Sequence, residues 1–240
     1  IVGQAMGGLM TLAGEQSDPP NLIYGRQADV SASIHAAQGT MIALLHAEAT
    51  GQGQLVDVSA QEAVSISQET AMQFWDFHKK NRTRTGELGA LPIRLPGSGT
   101  LKTKDGYVLL LIIAQAGKDL PDLVAWMREE GKAGKLDEEP YASLLAKFNM
   151  AFLTQLMGNP AEAVTVLQHL GAMNQEIANF FASKTAKEAY EEGQNRQLLV
   201  GIVSTPKDLA ENTQLRARDW YVTFPEAPAG PAVEFPGPPY

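Results

Sequence analysis

Asp29 is a residue that could carry covalent chemistry in this sequence. It follows a loop that contains Pro19, Pro20 and Gly25, and it precedes a helical pattern that starts near Ser31. We therefore expect its carboxylate to lie beside a helix N-terminus, where free backbone N–H groups and the helix dipole stabilise an anion. An ionised carboxylate can attack an activated carbonyl carbon. The same position also suits a residue that only caps the helix, and the spacing does not choose between the two roles.

A helix and a strand are predicted to follow this residue. Residues 31–50 carry apolar side chains at a spacing near the helical period, and Gly51 stands where such a helix would end. Residues 55–58 alternate as in a β-strand.

A capping-box pattern predicts the next helix. Ser59 and Glu62 are three residues apart and precede an apolar run, so we expect a helix from Ser59 to about Trp75. Helix, strand and helix in this order indicate an α/β layer.

A change in composition marks a predicted domain boundary. Residues 79–99 are rich in Asn, Thr, Arg, Gly and Pro, as linkers are. Residues 100–103 and 107–113 then flank Asp105 and Gly106, which is a strong signal for a β-hairpin. The apolar run over residues 107–114 indicates a buried strand.

Most of the remaining sequence has helical periodicity. Thr185 and Glu188 repeat the capping-box spacing, residues 198–203 indicate a buried strand, and Pro206 suits the first position of a short helix. Three apolar helix faces are predicted: Leu120, Leu123, Val124 and Met127; Leu144, Leu145, Phe148, Phe152 and Leu156; and Ala163, Val164, Val166, Leu167 and Leu170.

Composition excludes several classes of protein. With 44% hydrophobic and 19% charged residues, the 240-residue chain resembles globular proteins that bury a sizeable core. A net charge of -8 opposes nonspecific nucleic-acid binding, which depends on clustered Lys and Arg. No apolar run approaches the roughly 20 residues of a membrane-spanning helix, and no segment has the pattern of an export signal. We expect a cytoplasmic protein with neither a nucleic-acid nor a membrane partner.

The sequence also gives no indication of a metal site. It contains no cysteine, and its four histidines lack the spacing of metal ligands such as HExxH. We therefore expect no metal. The histidines are His35, His46, His78 and His169.

Several separated motifs occur in one order along the chain. They are Gln-Ala-Met-Gly-Gly-Leu-Met at 4–10, Gly-Glu at 14–15, Pro-Pro at 19–20, Ala-Asp at 28–29, Ala-Leu-Leu-His at 43–46, Thr-Gly-Gln-Gly-Gln-Leu-Val-Asp-Val-Ser at 50–59, Lys-Asp-Gly-Tyr-Val at 104–108, and Pro206 through Arg218. Together they resemble the class III CoA-transferase family, which includes formyl-CoA transferase, carnitine CoA-transferase and the alpha-methylacyl-CoA racemases.

The resemblance implies an α/β fold with a large Rossmann-like domain, a smaller α+β domain, and two chains interlocked as a homodimer. It assigns residues 1–80 to the central part of the large CoA-binding domain and 81–99 to a linker with a possible glycine lid. Residues 100–204 would form the smaller domain, and 205–240 would return to the large one. Because the family begins with a Rossmann-like half and this chain begins at Ile1, we expect its N-terminal part, and the end of its return segment, to be missing.

The resemblance places Asp29 where the family has its catalytic aspartate. It implies transfer of coenzyme A between an acyl-CoA thioester and a free carboxylic acid, through an aspartyl mixed anhydride and an aspartyl-CoA thioester. Coenzyme A and acyl-CoA would be substrates. Two alternatives stay open: a racemase or epimerase of 2-methylacyl-CoA thioesters, which uses an aspartate and a histidine, and a noncatalytic protein that binds acyl-CoA.

A second candidate element consists of Gly97, Ser98 and Gly99. Some transferases of this family carry a glycine run that closes over the intermediate, and this stretch is a partial match. Two glycines allow a mobile loop whose backbone N–H groups approach a ligand, although an interdomain turn explains the pattern equally. The basic residues between Lys79 and Lys104 suit either the phosphates of CoA or a solvated linker face.

Overall fold

The structure, a computed structural model, describes residues 1–68, 70–86, 94–113, 119–224 and 233–238. It divides into two units, Ile1–Arg94 and Leu95–Tyr240. Asp29 lies in the first unit, and the segment from Gly97 to Gly99 lies in the second.

The described part of the first unit is helical. The predicted helix over residues 31–50 is confirmed, although it begins earlier, at Gln27. It ends at Gly51, whose φ of 73° is a left-handed conformation that glycine adopts readily and whose N–H donates to the carbonyl of Ala47 over 2.8 Å. The helices are α1 (Val2–Met6), α2 (Leu9–Leu12), α3 (Gln27–Thr50), α4 (Ala60–Ile66) and α5 (Ala71–His78).

Helix α3 is apolar around much of its circumference. It packs against α4 and α1, and Ala28 is buried there. Exposed apolar side chains cover much of its remaining surface: Val30, Ile34, Met41, Ile42, Leu44 and Leu45. Helices that face solvent normally carry polar residues on that side, so α3 has the surface of a buried helix.

The strand predicted over residues 55–58 is wrong. These residues have no regular secondary structure, and Leu55 is 91% exposed. A strand satisfies its N–H and C=O groups by pairing with a neighbour. The described residues of the first unit contain no other strand with which this segment could pair.

The single helix predicted from Ser59 to Trp75 is also wrong, because two helices occupy this region. Ser59 does cap α4, since its Oγ accepts a hydrogen bond from the N–H of Glu62 over 3.3 Å. The helix then ends where the hydroxyl of Ser67 bonds the carbonyl of Val64. Such side-chain bonds to nearby backbone groups compete with helix propagation.

The second unit contains a three-stranded antiparallel sheet in the order β1 (Gly99–Lys102), β2 (Tyr107–Leu111), β3 (Leu199–Ile202). Strands β1 and β2 form the predicted hairpin, with Leu101 opposite Val108. Strand β3 confirms the strand predicted over residues 198–203 and pairs with β2.

Burial alternates along these strands. On β2, Val108 and Leu110 are buried while Leu109 and Leu111 are about half exposed. The prediction of a wholly buried strand is therefore wrong for the face that carries Leu109 and Leu111. An antiparallel sheet that is covered on one side normally leaves its other face exposed. The strand predicted over residues 198–203 is likewise only partly buried, since Val200 is buried but Leu199 and Ile202 are exposed. Ala114, at the end of the predicted run, lies outside the described residues.

Helices pack around this sheet. The apolar face predicted from Leu120 to Met127 is confirmed, and the face predicted from Leu144 to Leu156 is divided between two helices. The remaining elements are α6 (Asp119–Glu129), a 3-10 turn (Gly134–Asp137), α7 (Tyr141–Lys147), α8 (Met150–Met157), α9 (Pro160–Ala182), α10 (Ala186–Asn195), α11 (Pro206–Ala210), α12 (Thr213–Ala217), and an antiparallel strand pair, β4 (Tyr221–Phe224) and β5 (Val233–Pro236).

The third predicted face is only partly correct. On α9, Val166 and Leu170 are buried, but Val164 and Leu167 are exposed. The buried stripe continues instead through residues nearer the C-terminus of α9, Met173, Ile177, Phe180 and Phe181.

Two helix starts agree with their predictions. Thr185 and Glu188 form both hydrogen bonds of a capping box at α10, and Pro206 is the first residue of α11. Thr205 and Asp208 make a second capping box at α11.

Lys184 is a buried cation in the core of the second unit. Lys184 is only 7% exposed, and its Nζ bonds Glu130 Oε1. The same ammonium group lies 4.8 Å from the ring centroid of Trp126 and 4.7 Å from that of Phe180, where aromatic faces attract cations. Trp126 Nε1 also donates to Glu130 Oε1 over 2.7 Å. Glu130 therefore neutralises a charge that would be costly to bury alone.

Replacing Glu130 tests this interaction. Burial raises the pKa of Glu130, but hydrogen bonds from Lys184, Lys132 and Trp126 outweigh burial and lower the pKa below its usual 4.5. Because the folded-state pKa is lower than the unfolded one, the carboxylate stabilises the fold above pH 4.5, and this stabilisation is lost as pH falls through the folded-state pKa. Glu130→Gln should lower the free energy of unfolding at pH 7 by about 1–3 kcal/mol and weaken its dependence on acid pH.

Urea denaturation at several pH values, with the complete protein that carries this chain, measures both effects. Glu129→Gln is the matched control, since Glu129 is exposed and pairs with Arg196 at the surface; it should cost less than about 1 kcal/mol. An unchanged acid dependence in Glu130→Gln would contradict the role of Glu130.

Candidate active site

Asp29 lies in the first turn of α3, and its carboxylate is exposed. The N-cap of this helix is Arg26, so the interpretation of Asp29 as a capping residue is wrong. Its side chain is 59% exposed, and its backbone carbonyl accepts a hydrogen bond from Ser33 Oγ over 2.7 Å. The carboxylate thus stands at the positive end of the helix dipole without being buried.

Arg26 is the partner of this carboxylate. Its Nε lies 2.6 Å from Asp29 Oδ2, and the arginine side chain is 85% exposed. Ion pairs this exposed contribute about 0–1 kcal/mol to stability. The pair therefore affects the charge around Asp29 more than it affects the fold.

A cleft of about 280 Å³ opens beside Asp29. Its walls include small residues from three helices and from the loop before α3: Gly3 of α1, Gly25 of the loop, Ala28 of α3 and Ala60 of α4. Because these residues have little or no side chain, the carboxylate faces open space.

The loop before α3 is held by the buried side chain of Gln4. Gln4 is 2% exposed. Its Nε2 donates to the carbonyls of Ile23 and Gly25, each over 3.4 Å, and its Oε1 accepts from the N–H of Ile23 over 3.2 Å. These bonds satisfy backbone groups in a segment that has no regular secondary structure.

Helix α1 also approaches α3 closely at Gly3. A Cβ placed on Gly3 would lie 2.8 Å from the Cβ of Ala28, which is closer than carbon atoms pack. Gly3 and Gln4 together determine where the loop ends and α3 begins. Neither Gln4 nor Arg26 was predicted as a site residue from the sequence. For Arg26, its distance of three residues from Asp29 was the available signal.

The segment from Gly97 to Gly99 is buried in the second unit. The N–H of Gly97 donates to Asn174 Oδ1 over 2.8 Å. Ser98 Oγ accepts from the N–H of Ile112 over 2.9 Å and donates to its carbonyl over 3.3 Å. Gly99 is the first residue of β1. The function of this segment as a lid stays a prediction, and any opening would have to break these bonds.

Three of the basic residues near the predicted linker have partners within the first unit. Lys79 Nζ lies 3.9 Å from Asp76 Oδ1. Arg84 donates to the backbone carbonyls of Thr11, Glu15 and Asp18, and Arg82 donates to Thr70 Oγ1 over 2.8 Å. In the part of the chain that the structure describes, no group of three acidic or histidine side chains is placed to hold a metal ion. None of the helices described has both the length and the apolar character needed to cross a membrane.

Comparison with known proteins gives a consistent result along the whole chain. The model of CoA-transferase family III matches residues 1–240. The chain is 34% identical to the succinyl-CoA:(R)-benzylsuccinate CoA-transferase subunit BbsE of Thauera aromatica, over 98% of the chain and 53% of that protein. It is 25% identical to the formyl-CoA:oxalate CoA-transferase of Streptomyces avermitilis, over 97% of the chain and 54% of that protein. The chain thus spans about half the length of these relatives.

Solved structures share the fold. A CAIB/BAIF family protein from Brucella suis superposes with a TM-score of 0.65 at 22% identity, over 92% of this chain and 51% of that one. Rv3272 of Mycobacterium tuberculosis gives a TM-score of 0.62 at 19% identity, over 100% of this chain and 55% of that one. The predicted fold class is confirmed by this likeness, while the interlocked homodimer, the domain assignment and the cytoplasmic location stay predictions.

Replacing Gln4 tests how the loop before α3 is positioned. Gln4→Leu keeps the approximate side-chain volume but leaves the N–H of Ile23 and the carbonyls of Ile23 and Gly25 without this partner. We expect the free energy of unfolding to fall by about 1–3 kcal/mol and the amide of Ile23 to exchange faster with solvent. Hydrogen exchange of the complete protein, followed by mass spectrometry, measures the second effect.

Gln27→Leu provides the control, because the exposed Gln27 side chain also donates to a loop carbonyl, that of Tyr24, over 2.9 Å. It should change both quantities less, since solvent replaces the lost bond. Equal effects of the two substitutions would show that burial of Gln4 is not what holds the loop.

Proposed function

Because the chain belongs to CoA-transferase family III, as its motifs predicted, we propose that it is the central and C-terminal part of an enzyme that transfers coenzyme A from an acyl-CoA thioester to a free carboxylate. The relatives reported above are named as CoA-transferases that act on succinyl-CoA or formyl-CoA. Other relatives are named for succinyl-CoA with D-citramalate or mesaconate. We take succinyl-CoA as the first donor to test.

The nucleophile in this proposal is Asp29. Its carboxylate oxygen attacks the thioester carbonyl carbon, the carbon–sulfur bond breaks, and CoA leaves as a thiolate with the bonding electron pair. The product on the enzyme is a mixed anhydride. The CoA thiolate then attacks the aspartyl carbonyl carbon and displaces the donor's carboxylate, which leaves an aspartyl-CoA thioester. The same two exchanges with the acceptor carboxylate, in reverse order, yield the new acyl-CoA and restore Asp29.

The observation that supports this assignment is that the Asp29 carboxylate is exposed and lines a cleft whose walls include several Gly and Ala residues. A nucleophile must reach its carbonyl carbon at about 3–3.5 Å, which a carboxylate buried against its own helix could not do. The first turn of α3 also supplies the positive dipole end, which favours the anion that attacks and that is restored after turnover.

Replacing the nucleophile is the primary test. Asp29→Asn keeps the shape of the side chain but removes the attacking anion, so kcat for CoA transfer from succinyl-CoA should fall by at least ~10³-fold. Steady-state transfer assays with the complete protein measure this effect. Asp57→Asn is the control, because Asp57 is also an exposed carboxylate of the first unit but does not line the cleft; its activity should stay near that of the unchanged protein.

Retained transfer in Asp29→Asn would contradict the proposal. If the enzyme instead exchanges the α-proton of a 2-methylacyl-CoA with solvent and transfers no CoA, the racemase alternative is correct. If neither variant affects the protein's cellular activity and no turnover is found, the noncatalytic alternative is favoured.

We further propose that chain outside these 240 residues covers the exposed face of α3 in the complete protein. The chain spans about half of its relatives, and α3 carries exposed apolar side chains beyond its contacts with α1 and α4. Burying such a surface is the main favourable contribution to folding. This arrangement agrees with the large domain that the sequence predicts.

Truncating an exposed residue of α3 tests whether other parts of the complete protein cover this helix. Ile42 is 67% exposed here, so Ile42→Ala would cost little if this surface faced solvent. In the complete protein we expect a loss of about 2–5 kcal/mol in the free energy of unfolding, as for buried isoleucines. Urea denaturation measures it, with Gln38→Ala on the same helix as the control for a polar exposed position. Losses of equal size would contradict the covering.

A further inference from the structure

Arg26 lies beside Asp29, at the place where substrates of the proposed reaction would meet the Asp29 carboxylate. Its guanidinium lies 2.6 Å from Asp29 Oδ2, and both residues line the cleft. Among the described residues that line this cleft, Arg26 carries the only cationic side chain. The lining is otherwise apolar, small or neutral apart from Asp29 itself, and includes Gly3, Gln4 and Leu22.

The fold does not explain an arginine at this position. Arg26 is the N-cap of α3, but its side chain makes no capping hydrogen bond, whereas Ser, Thr, Asn and Asp are the residues that stabilise this position. A cation at the positive end of the helix dipole is also electrostatically unfavourable. A residue that departs from both the N-cap preference and the dipole preference is typical of functional positions.

The charge on Asp29 changes during the proposed reaction. In the free enzyme, the guanidinium of Arg26 pairs with the Asp29 carboxylate. Once Asp29 is acylated, its carbonyl group carries no net charge, and Arg26 loses its anionic partner. Arginine stays protonated throughout and binds carboxylates through two parallel hydrogen bonds. It then faces the cleft beside the carbon that the acceptor must attack.

Resting on the function proposed above, we propose that Arg26 binds the reacting carboxylate of the acceptor once Asp29 carries CoA as a thioester. The acceptor oxygen forms a bond to the aspartyl carbonyl carbon, the carbon–sulfur bond breaks, and the electron pair leaves with the CoA thiolate. No proton moves in this step. Arg26 holds the acceptor near its target, and it regains the Asp29 carboxylate as its partner when the acceptor leaves as a thioester.

This role affects the two substrates differently. The donor thioester meets a free enzyme in which Arg26 is already paired with Asp29, so the donor gains little from the arginine. The acceptor carboxylate meets the acylated enzyme, in which the arginine is available. Removal of the guanidinium should therefore weaken acceptor binding selectively.

Isotope exchange between succinyl-CoA and labelled succinate, catalysed by the complete protein, tests this difference, since the acid of any donor is also an acceptor. In Arg26→Gln we expect KM for succinate to rise about 10- to 100-fold, the size expected for losing a hydrogen bond to a charged group. KM for succinyl-CoA should change less than about threefold. Arg26→Lys, which keeps the charge but not the paired geometry, should lie between these values.

Arg128→Gln is the matched control. Arg128 makes an exposed ion pair of the same geometry in the second unit, with Nε 2.5 Å from Asp137 Oδ1, and its loss should leave both KM values unchanged. An unchanged KM for succinate in Arg26→Gln would overturn the proposal. An equal rise for succinate and succinyl-CoA would also overturn it, because Arg26 would then bind the distal carboxylate that both molecules share.

The outcome separates this role from the proposed function. Exchange that persists in Asp29→Asn would overturn the nucleophile and the role of Arg26 together. Exchange that is lost in Asp29→Asn, with an unchanged succinate KM in Arg26→Gln, would overturn the role of Arg26 alone.

Discussion

The candidate site depends on one buried amide, the side chain of Gln4. Its hydrogen bonds satisfy the backbone of Ile23 and Gly25 in a loop that lacks regular secondary structure. Without them, these groups would lose their partner at the edge of the core, at a cost of about 1–3 kcal/mol. The close contact of Gly3 with Ala28 fixes the neighbouring helices. The start of α3, and hence the direction of the Asp29 carboxylate, follows from these contacts.

Two ion pairs in this chain show how exposure determines what a charge does. Lys184 is buried among aromatic rings, and the partly exposed carboxylate of Glu130 compensates the desolvation of its ammonium group. Arg26 and Asp29 are exposed to solvent, so their pairing adds little stability. An exposed pair can exchange partners at low cost, which is what the role proposed for Asp29 requires.

The sequence predicted features with a local cause and missed those with a distant one. The hairpin around Asp105, the capping box at Thr185 and the end of α3 at Gly51 were predictable because a few adjacent residues determine each of them. The strand over residues 55–58 was wrong because a strand needs a partner, and local alternation carries no information about one. Val164 and Leu167 were assigned to a buried face because periodicity does not show which side of a helix its neighbours cover. Asp29 was selected through family resemblance, whereas Gln4 became recognisable only from hydrogen-bond geometry, and Arg26 had only its spacing of three residues from Asp29 as a sequence signal.

The most direct test of the site is the covalent state of Asp29 during turnover. The complete protein is incubated with succinyl-CoA and hydroxylamine, digested, and analysed by peptide mass spectrometry. An aspartyl thioester or anhydride reacts with hydroxylamine to form a hydroxamate, so we expect that modification on Asp29, and only when the acyl-CoA is present. Turnover without a modified Asp29, or a hydroxamate on another carboxylate, would contradict its role as the nucleophile.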